Sequence, residues 1–199
     1  MQTARFEAKT TVEGPGERSA LWLQGCSIGC EGCCNPELQP RQGGLEMTVA
    51  EIAAKVIAAA ADGLTLLGGE PLDQATELFE LLQLLRVAGY HGIIMFTGYE
   101  WNEIIATPEK QRVAELCDLV IAGPFERQRS PGGRRWIGSD NQTLHFITPF
   151  YDELRRSWPK FVREIEIFIR DGVIMVNGTP LGPEHELSCR PTEHKKGKT

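Results

Sequence analysis

The hydrophobic positions change period several times along the chain and divide it into short apolar runs and amphipathic stretches. Residues 5–12 read as extended, and Gly14-Pro15-Gly16 as a turn. Residues 19–24 form a near-continuous apolar run, the pattern of a strand covered on both faces. Thr48 and Glu51 have capping-box spacing, and Val49, Ile52, Val56 and Ala60 share one face of the helix that should follow. A second apolar run, 64–67, leads straight into Gly68-Gly69-Glu70-Pro71. Asp73 is placed to cap the next helix, which turns Leu78, Leu81, Leu82 and Leu85 inward and stops at Gly89. A third run, 92–96, ends in Thr97-Gly98-Tyr99. Helix is predicted over 108–116 and 151–158, and strand over 119–122 and 143–147.

Alternation of strand and helix predicts an α/β fold with a largely parallel sheet. Beyond it the period switches to two over 164–169. Asp171-Gly172 is a hairpin turn signal, 173–176 returns, and Asn177-Gly178 is a second turn. The expected organisation is an α/β unit over 1–162, an appended β-hairpin packed on it over 163–189, and a disordered polar, basic tail over 190–199.

Composition narrows the function classes. Of 199 residues, 41% are hydrophobic and 24% charged, the balance of a soluble globular domain. A net charge of −6 argues against a nucleic-acid partner, which needs a basic face. No apolar run reaches the ~18 residues of a membrane span, and residues 1–5 open no apolar signal segment. Reduced, clustered cysteines without an export signal fit a cytoplasmic protein.

The cysteines carry the sharpest chemical signal. Four of the six fall within positions 26–34, and Cys26, Cys30 and Cys33 have the spacing Cys-x-x-x-Cys-x-x-Cys. Thiolates this close suit a shared soft-metal centre. Three ligands from one loop can hold three irons of a four-iron cluster and leave the fourth open. A structural zinc site would need Cys34 as its fourth ligand, directly beside Cys33, which is awkward for a tetrahedron. Free thiols are the third reading. The apolar runs end at the cysteine loop, at Gly68-Gly69-Glu70 and at Thr97-Gly98-Tyr99. In a parallel α/β fold these loops share one rim, at the carboxyl ends of the strands. Gly68-Gly69 permits close backbone approach, and Glu70 offers a carboxylate to an ammonium group.

Further motifs stand in order over residues 11–146. They are Val12-Glu13-Gly14-Pro15-Gly16 with Arg18, Gly25-Cys26 through Asn35, Gly68-Gly69-Glu70-Pro71-Leu72, Thr97-Gly98-Tyr99, Gly123-Pro124-Phe125, and Trp136-Ile137-Gly138-Ser139-Asp140-Asn141-Gln142. The set resembles the radical S-adenosylmethionine (SAM) enzymes, and more closely the activating proteins of anaerobic ribonucleoside-triphosphate reductase. The resemblance implies a partial, open (β/α) barrel of about five to six parallel strands. It implies a [4Fe-4S] cluster on Cys26, Cys30 and Cys33, with SAM on the open iron. Gly68, Gly69 and Glu70 would line the methionyl moiety, Gly32, Cys34 and Asn35 would lie near the adenine, and Thr97 would approach the cofactor. One electron, from a donor such as a flavodoxin or ferredoxin, would release a 5′-deoxyadenosyl radical that takes a hydrogen atom from a glycine of a partner enzyme.

The chain departs from that pattern in three places. Cys34 stands where an aromatic residue is common, Ala122 where an acidic residue often precedes Gly-x-Phe, and Ile137 where arginine precedes Gly-Ser. Ala122 and Ile137, with the added hairpin, keep open a stand-alone radical SAM enzyme acting on a small molecule or peptide. A non-catalytic zinc-binding interaction module is the remaining alternative. Cys117, Cys189, His91 and His145 read as structural or incidental. Arg127, Arg129, Arg134 and Arg135, beside Trp136, read as a solvated loop or as a docking surface for an acidic partner.

Overall fold

The computed structural model describes residues 1–170 and 173–179. Its elements are β1 (Gln2–Thr10), β2 (Arg18–Leu23), β3 (Leu45–Glu46), α1 (Val49–Ala59), β4 (Gly63–Gly68), α2 (Ala75–Val87), β5 (Ile93–Thr97), α3 (Trp101–Ala106), α4 (Pro108–Ala114), β6 (Leu119–Ala122), β7 (Thr143–Phe146), α5 (Asp152–Arg156), β8 (Ile165–Arg170) and β9 (Val173–Gly178). One sheet has the order β3-β1-β2-β4-β5-β6-β7. The four strands β2, β4, β5 and β6 are mutually parallel, while β1, β3 and β7 join antiparallel. This corrects the expectation of five to six parallel strands. A parallel pair needs a crossover of about a dozen residues or more, usually a helix. Residues 123–142 between β6 and β7 contain only a three-residue turn of 3-10 helix, so β7 returns antiparallel.

All six residues of β2 are buried, as an apolar run with both faces covered requires. Leu21 and Leu23 of β2, Leu64 and Leu66 of β4, and Met95 of β5 pack against Ile52 and Val56 of α1 and Leu78, Leu81, Leu82 and Leu85 of α2. The capping box at Thr48 and Glu51 forms as predicted. Ala60, expected on the buried face of α1, is instead its left-handed C-cap at φ 49°. The opposite sheet face carries Ile94, Leu119 and Ile121 under Ile137 and Tyr151. Ile137 stands where an arginine was expected, and it is a core residue here.

Arg18, 1% exposed, closes the amino ends of the parallel strands. Its guanidinium donates to Thr65 Oγ1, Pro15 O, Tyr151 Oη, Leu64 O and Gly92 O at 2.6–3.0 Å. The charge has no carboxylate partner among the described residues, yet it is fully hydrogen-bonded, which makes burial tolerable.

The hairpin β8–β9 is antiparallel. Asn177 accepts from Arg5 Nη2 at 2.8 Å and donates to Thr10 Oγ1 at 3.0 Å, while Glu166 accepts from the backbone N–H of Thr11 at 2.9 Å. Asn177 and Gly178, expected to turn, are the last residues of β9. The Asp171-Gly172 turn, residues 180–189, Cys189 and the tail lie outside the described residues. No helix among the described residues is long and apolar enough to cross a membrane.

Candidate active site

The four parallel strands all run toward one rim, and the loops leaving β2, β4, β5 and β6 meet there. The first carries the cysteines. Gly25 (φ 95°), Gly29 (φ 66°) and Gly32 (φ 73°) let it wind back on itself. Its base is fixed by Gly25 N–H to Leu38 O at 2.8 Å and Cys26 N–H to Gln39 O at 2.9 Å.

Gly68 and Gly69 lie against that base. A Cβ on Gly68 would stand 2.4 Å from Leu23 N, and one on Gly69 would stand 2.1 Å from Gly25 O. The missing Cβ atoms therefore let the backbones of the first two loops pack directly on one another. Gly69 N–H donates to Leu23 O and Glu70 N–H to Gly25 O, both at 2.8 Å. Gly98 closes on the same loop, because a Cβ there would reach Ile28 Cγ1 at 2.9 Å.

Glu70 ties the second loop to the third. Its Oε1 accepts from Leu72 N–H at 2.9 Å and Thr97 Oγ1 at 2.7 Å, and its Oε2 accepts from Gly98 N–H at 2.7 Å. Glu70 is 1% exposed, and burial pushes its carboxyl up to about 7 against those three donors. Thr97, expected near the cofactor, is buried and spends its hydroxyl on Glu70. Asp73 does not cap α2, whose N-cap is Gln74. A 3-10 turn, Pro71–Gln74, intervenes, and the carboxylate of Asp73 reaches Ser27 and Tyr99.

The described cysteines are free thiols. Two backbone amides point at cysteine sulfurs: Phe125 N–H at Cys30 Sγ, 3.3 Å, and Asn35 N–H at Cys33 Sγ, 3.4 Å. Burial pushes the Cys30 thiol up, opposed by the Phe125 amide. The exposed Cys34 thiol donates to Cys33, which holds Cys33 down and pushes Cys34 up. Among the described residues no three His, Cys, Asp or Glu side chains converge as a single metal ion requires. A four-iron cage asks for something else, thiolates spread round a loop with each bound to its own iron. The donor set of three half-buried thiols with amides aimed at two sulfurs fits that group.

Gly32 lies under Arg127, and a Cβ there would sit 2.4 Å from the guanidinium Nε. Asn35 starts the short turn Pro36–Leu38 without a side-chain cap bond. Of the basic loop, Arg134 is turned inward to Asp140 O and Gln142 O, and Arg135 bonds Glu164 at 2.8 Å. Arg127 and Arg129 remain exposed. Trp136 stacks edge-on with Trp158 and under Arg135, so it is a packing residue rather than a free anchor. Ala122 is fully buried at the end of β6. The Phe125 amide left no trace in the sequence, because a backbone donor has no residue signature. The role of Asp73 was hidden by its position at an expected helix start.

Comparison with known proteins gives the site its context. Residues 12–145 match the family described as a 4Fe-4S single cluster domain. The anaerobic ribonucleoside-triphosphate reductase-activating protein of Vibrio cholerae is 32% identical over 147 residues, covering 69% of this chain and 92% of that protein. The protein of the same name from Enterobacteria phage T4 is 32% identical over 139 residues, covering 67% and 86%. The pyruvate formate-lyase-activating enzyme of Clostridium pasteurianum is 34% identical over 122 residues, covering 58% of this chain and 49% of that enzyme. The chain belongs to the 4Fe-4S single cluster family and, within it, to the radical SAM activating enzymes.

Proposed function

We propose that this enzyme installs a glycyl radical on a partner protein, with Cys26, Cys30 and Cys33 holding a [4Fe-4S] cluster and SAM bound beside it. The observation that supports this most is the meeting of the four strand-end loops, with Phe125 N–H and Asn35 N–H aimed at Cys30 and Cys33. When bound, the cluster and SAM would supply reductive SAM cleavage and the hydrogen-atom abstraction that leaves a radical on the partner's glycine.

The chain's own residues bind and orient. Phe125 N–H and Asn35 N–H stabilise negative charge on the two sulfurs they face. Gly68, Gly69 and Glu70 line the methionyl part of SAM. Three donors occupy the Glu70 carboxylate, so lone-pair capacity remains for one further donor such as an ammonium. Gly32, Cys34 and Asn35 flank the adenine, and Thr97 keeps Glu70 in place. The sheet is a partial barrel whose edge strands, β3 and β7, are not joined among the described residues, leaving a side open to a protein loop. The electron comes from a flavodoxin- or ferredoxin-type donor, in the cytoplasm.

The test is to mix the reconstituted enzyme, SAM and a low-potential reductant with anaerobic ribonucleoside-triphosphate reductase, and in parallel with pyruvate formate-lyase. An organic doublet signal by electron paramagnetic resonance on either partner supports the reading. Turnover of SAM on a small molecule or peptide, with no radical on either protein, would favour the stand-alone alternative.

A further inference from the structure

The cysteine loop is gripped from the far side by a residue to which no role has been given. Asp73 is exposed and caps no helix, yet both of its oxygens are engaged. Ser27 donates twice to it, from N–H to Oδ2 and from Oγ to Oδ1, each at 2.7 Å. Tyr99 Oη donates to Oδ1 at 2.9 Å and lies 3.0 Å from Ser27 Oγ. The ammonium of Lys110 stands 3.3 Å from the centroid of the Tyr99 ring and pins that ring in turn. One carboxylate thus joins the loops after β2, β4 and β5, and the residue it holds lies between Cys26 and Cys30.

Elsewhere in that arc Ile28 packs against Gly98, and Gly29 is open. A Cβ on Gly29 would meet nothing within 4 Å. On the far side Cys30 is held by the Phe125 amide. Placing a carboxylate beside a set of thiolates costs electrostatic energy. An exposed position where a neutral side chain would avoid that cost carries an acid that makes three hydrogen bonds.

We propose that Asp73 is a positioning residue that sets the cysteine loop open at the span the cluster needs, and that its charge lowers the cluster's reduction potential. The proposal rests on the reading that Cys26, Cys30 and Cys33 carry the cluster. Two substitutions separate geometry from charge. Asp73→Asn keeps an oxygen for Ser27 N–H and presents an amide that donates to the hydroxyls of Ser27 and Tyr99, while removing the charge. Asp73→Ala removes both.

The experiment follows iron release to a ferrous chelator and the midpoint potential by paramagnetic resonance titration with dithionite. It uses anaerobically reconstituted wild type, both variants and Tyr99→Phe. The expected results are wild-type iron retention in Asp73→Asn, loss about fivefold faster or more in Asp73→Ala, and an intermediate rate in Tyr99→Phe. The potential should rise in both Asp73 variants, a readout that a purely structural role would not move in Asp73→Asn. Wild-type retention by Asp73→Ala, or an unchanged potential in Asp73→Asn, overturns the proposal while leaving the cluster assignment standing. A wild type that takes up no iron overturns both.

Discussion

Glu70 offers the most quantitative handle on the site. Replacing it with Gln removes the ionisable group and nearly preserves shape. Burial raises the wild-type carboxyl from 4.5 to about 7 in the folded chain. An acid whose pKa is raised by folding binds more protons in the native state. The native state is therefore favoured below the unfolded pKa and loses that advantage as pH climbs from 4.5 to about 7. The shift corresponds to roughly 3 kcal/mol over that window, with a limiting slope of about 1.4 kcal/mol per pH unit. Glu13, also raised to about 7 by burial, adds a similar slope to both proteins and cancels in the comparison. The side-chain amide of Gln also faces the Gly98 N–H that Oε2 now accepts, a pH-independent cost of about 1–3 kcal/mol. The assay is urea unfolding of the cluster-free protein at steps between pH 4.5 and 8. The variant should be the less stable at pH 5 and should close the gap by about 3 kcal/mol by pH 8. Parallel stability curves for the two proteins would refute the reasoning.

Three further perturbations test other parts of the structure. Arg18→Met removes the donor that serves Thr65 Oγ1, Pro15 O, Leu64 O and Tyr151 Oη, while Gly92 O keeps Tyr151 Oη, and should cost about 4–6 kcal/mol in urea unfolding; a loss under ~1 kcal/mol would mean that Arg18 holds nothing together. Gly32→Ala forces a side chain to φ 73° and displaces Arg127, so Tm should fall by about 4 °C or more. Asn177→Ala removes partners of Arg5 and Thr10 and should cost about 1–3 kcal/mol while iron content after reconstitution stays at the wild-type level; loss of iron would show that the hairpin supports the cluster loop.

Much of this arrangement was legible in the residue pattern. The runs at 64–67 and 119–122 and the leucines of α2 are strong periodic signals, and each sits where the pattern placed it. The meeting of the strand-end loops followed from the rule that parallel strands deliver their loops to one rim. The direction of β7 was misjudged because a strand's own residues do not encode it. The missing helix in 123–142 was the available clue. Helix α3, Trp101–Ala106, spans too few residues to show a helical period, although Glu100 and Glu103 form its capping box. The glycines at 68 and 69 were read as permitting close approach to a ligand, and the space a Cβ would take at each is occupied by the backbone of Leu23 and of Gly25. Asp73 shows why side-chain roles resist sequence reading. Its residue type fits a helix cap, and only the fold places Ser27 and Tyr99 within its reach.

The most direct test of the account is whether this protein cleaves SAM through its cysteine loop. Anaerobically reconstituted wild type and Cys30→Ala would each be mixed with SAM and dithionite, and 5′-deoxyadenosine quantified. The account predicts iron and sulfide in the wild type, product from it, and neither cluster nor product from Cys30→Ala. A wild type that binds stoichiometric zinc and no iron, and forms no product, would contradict it.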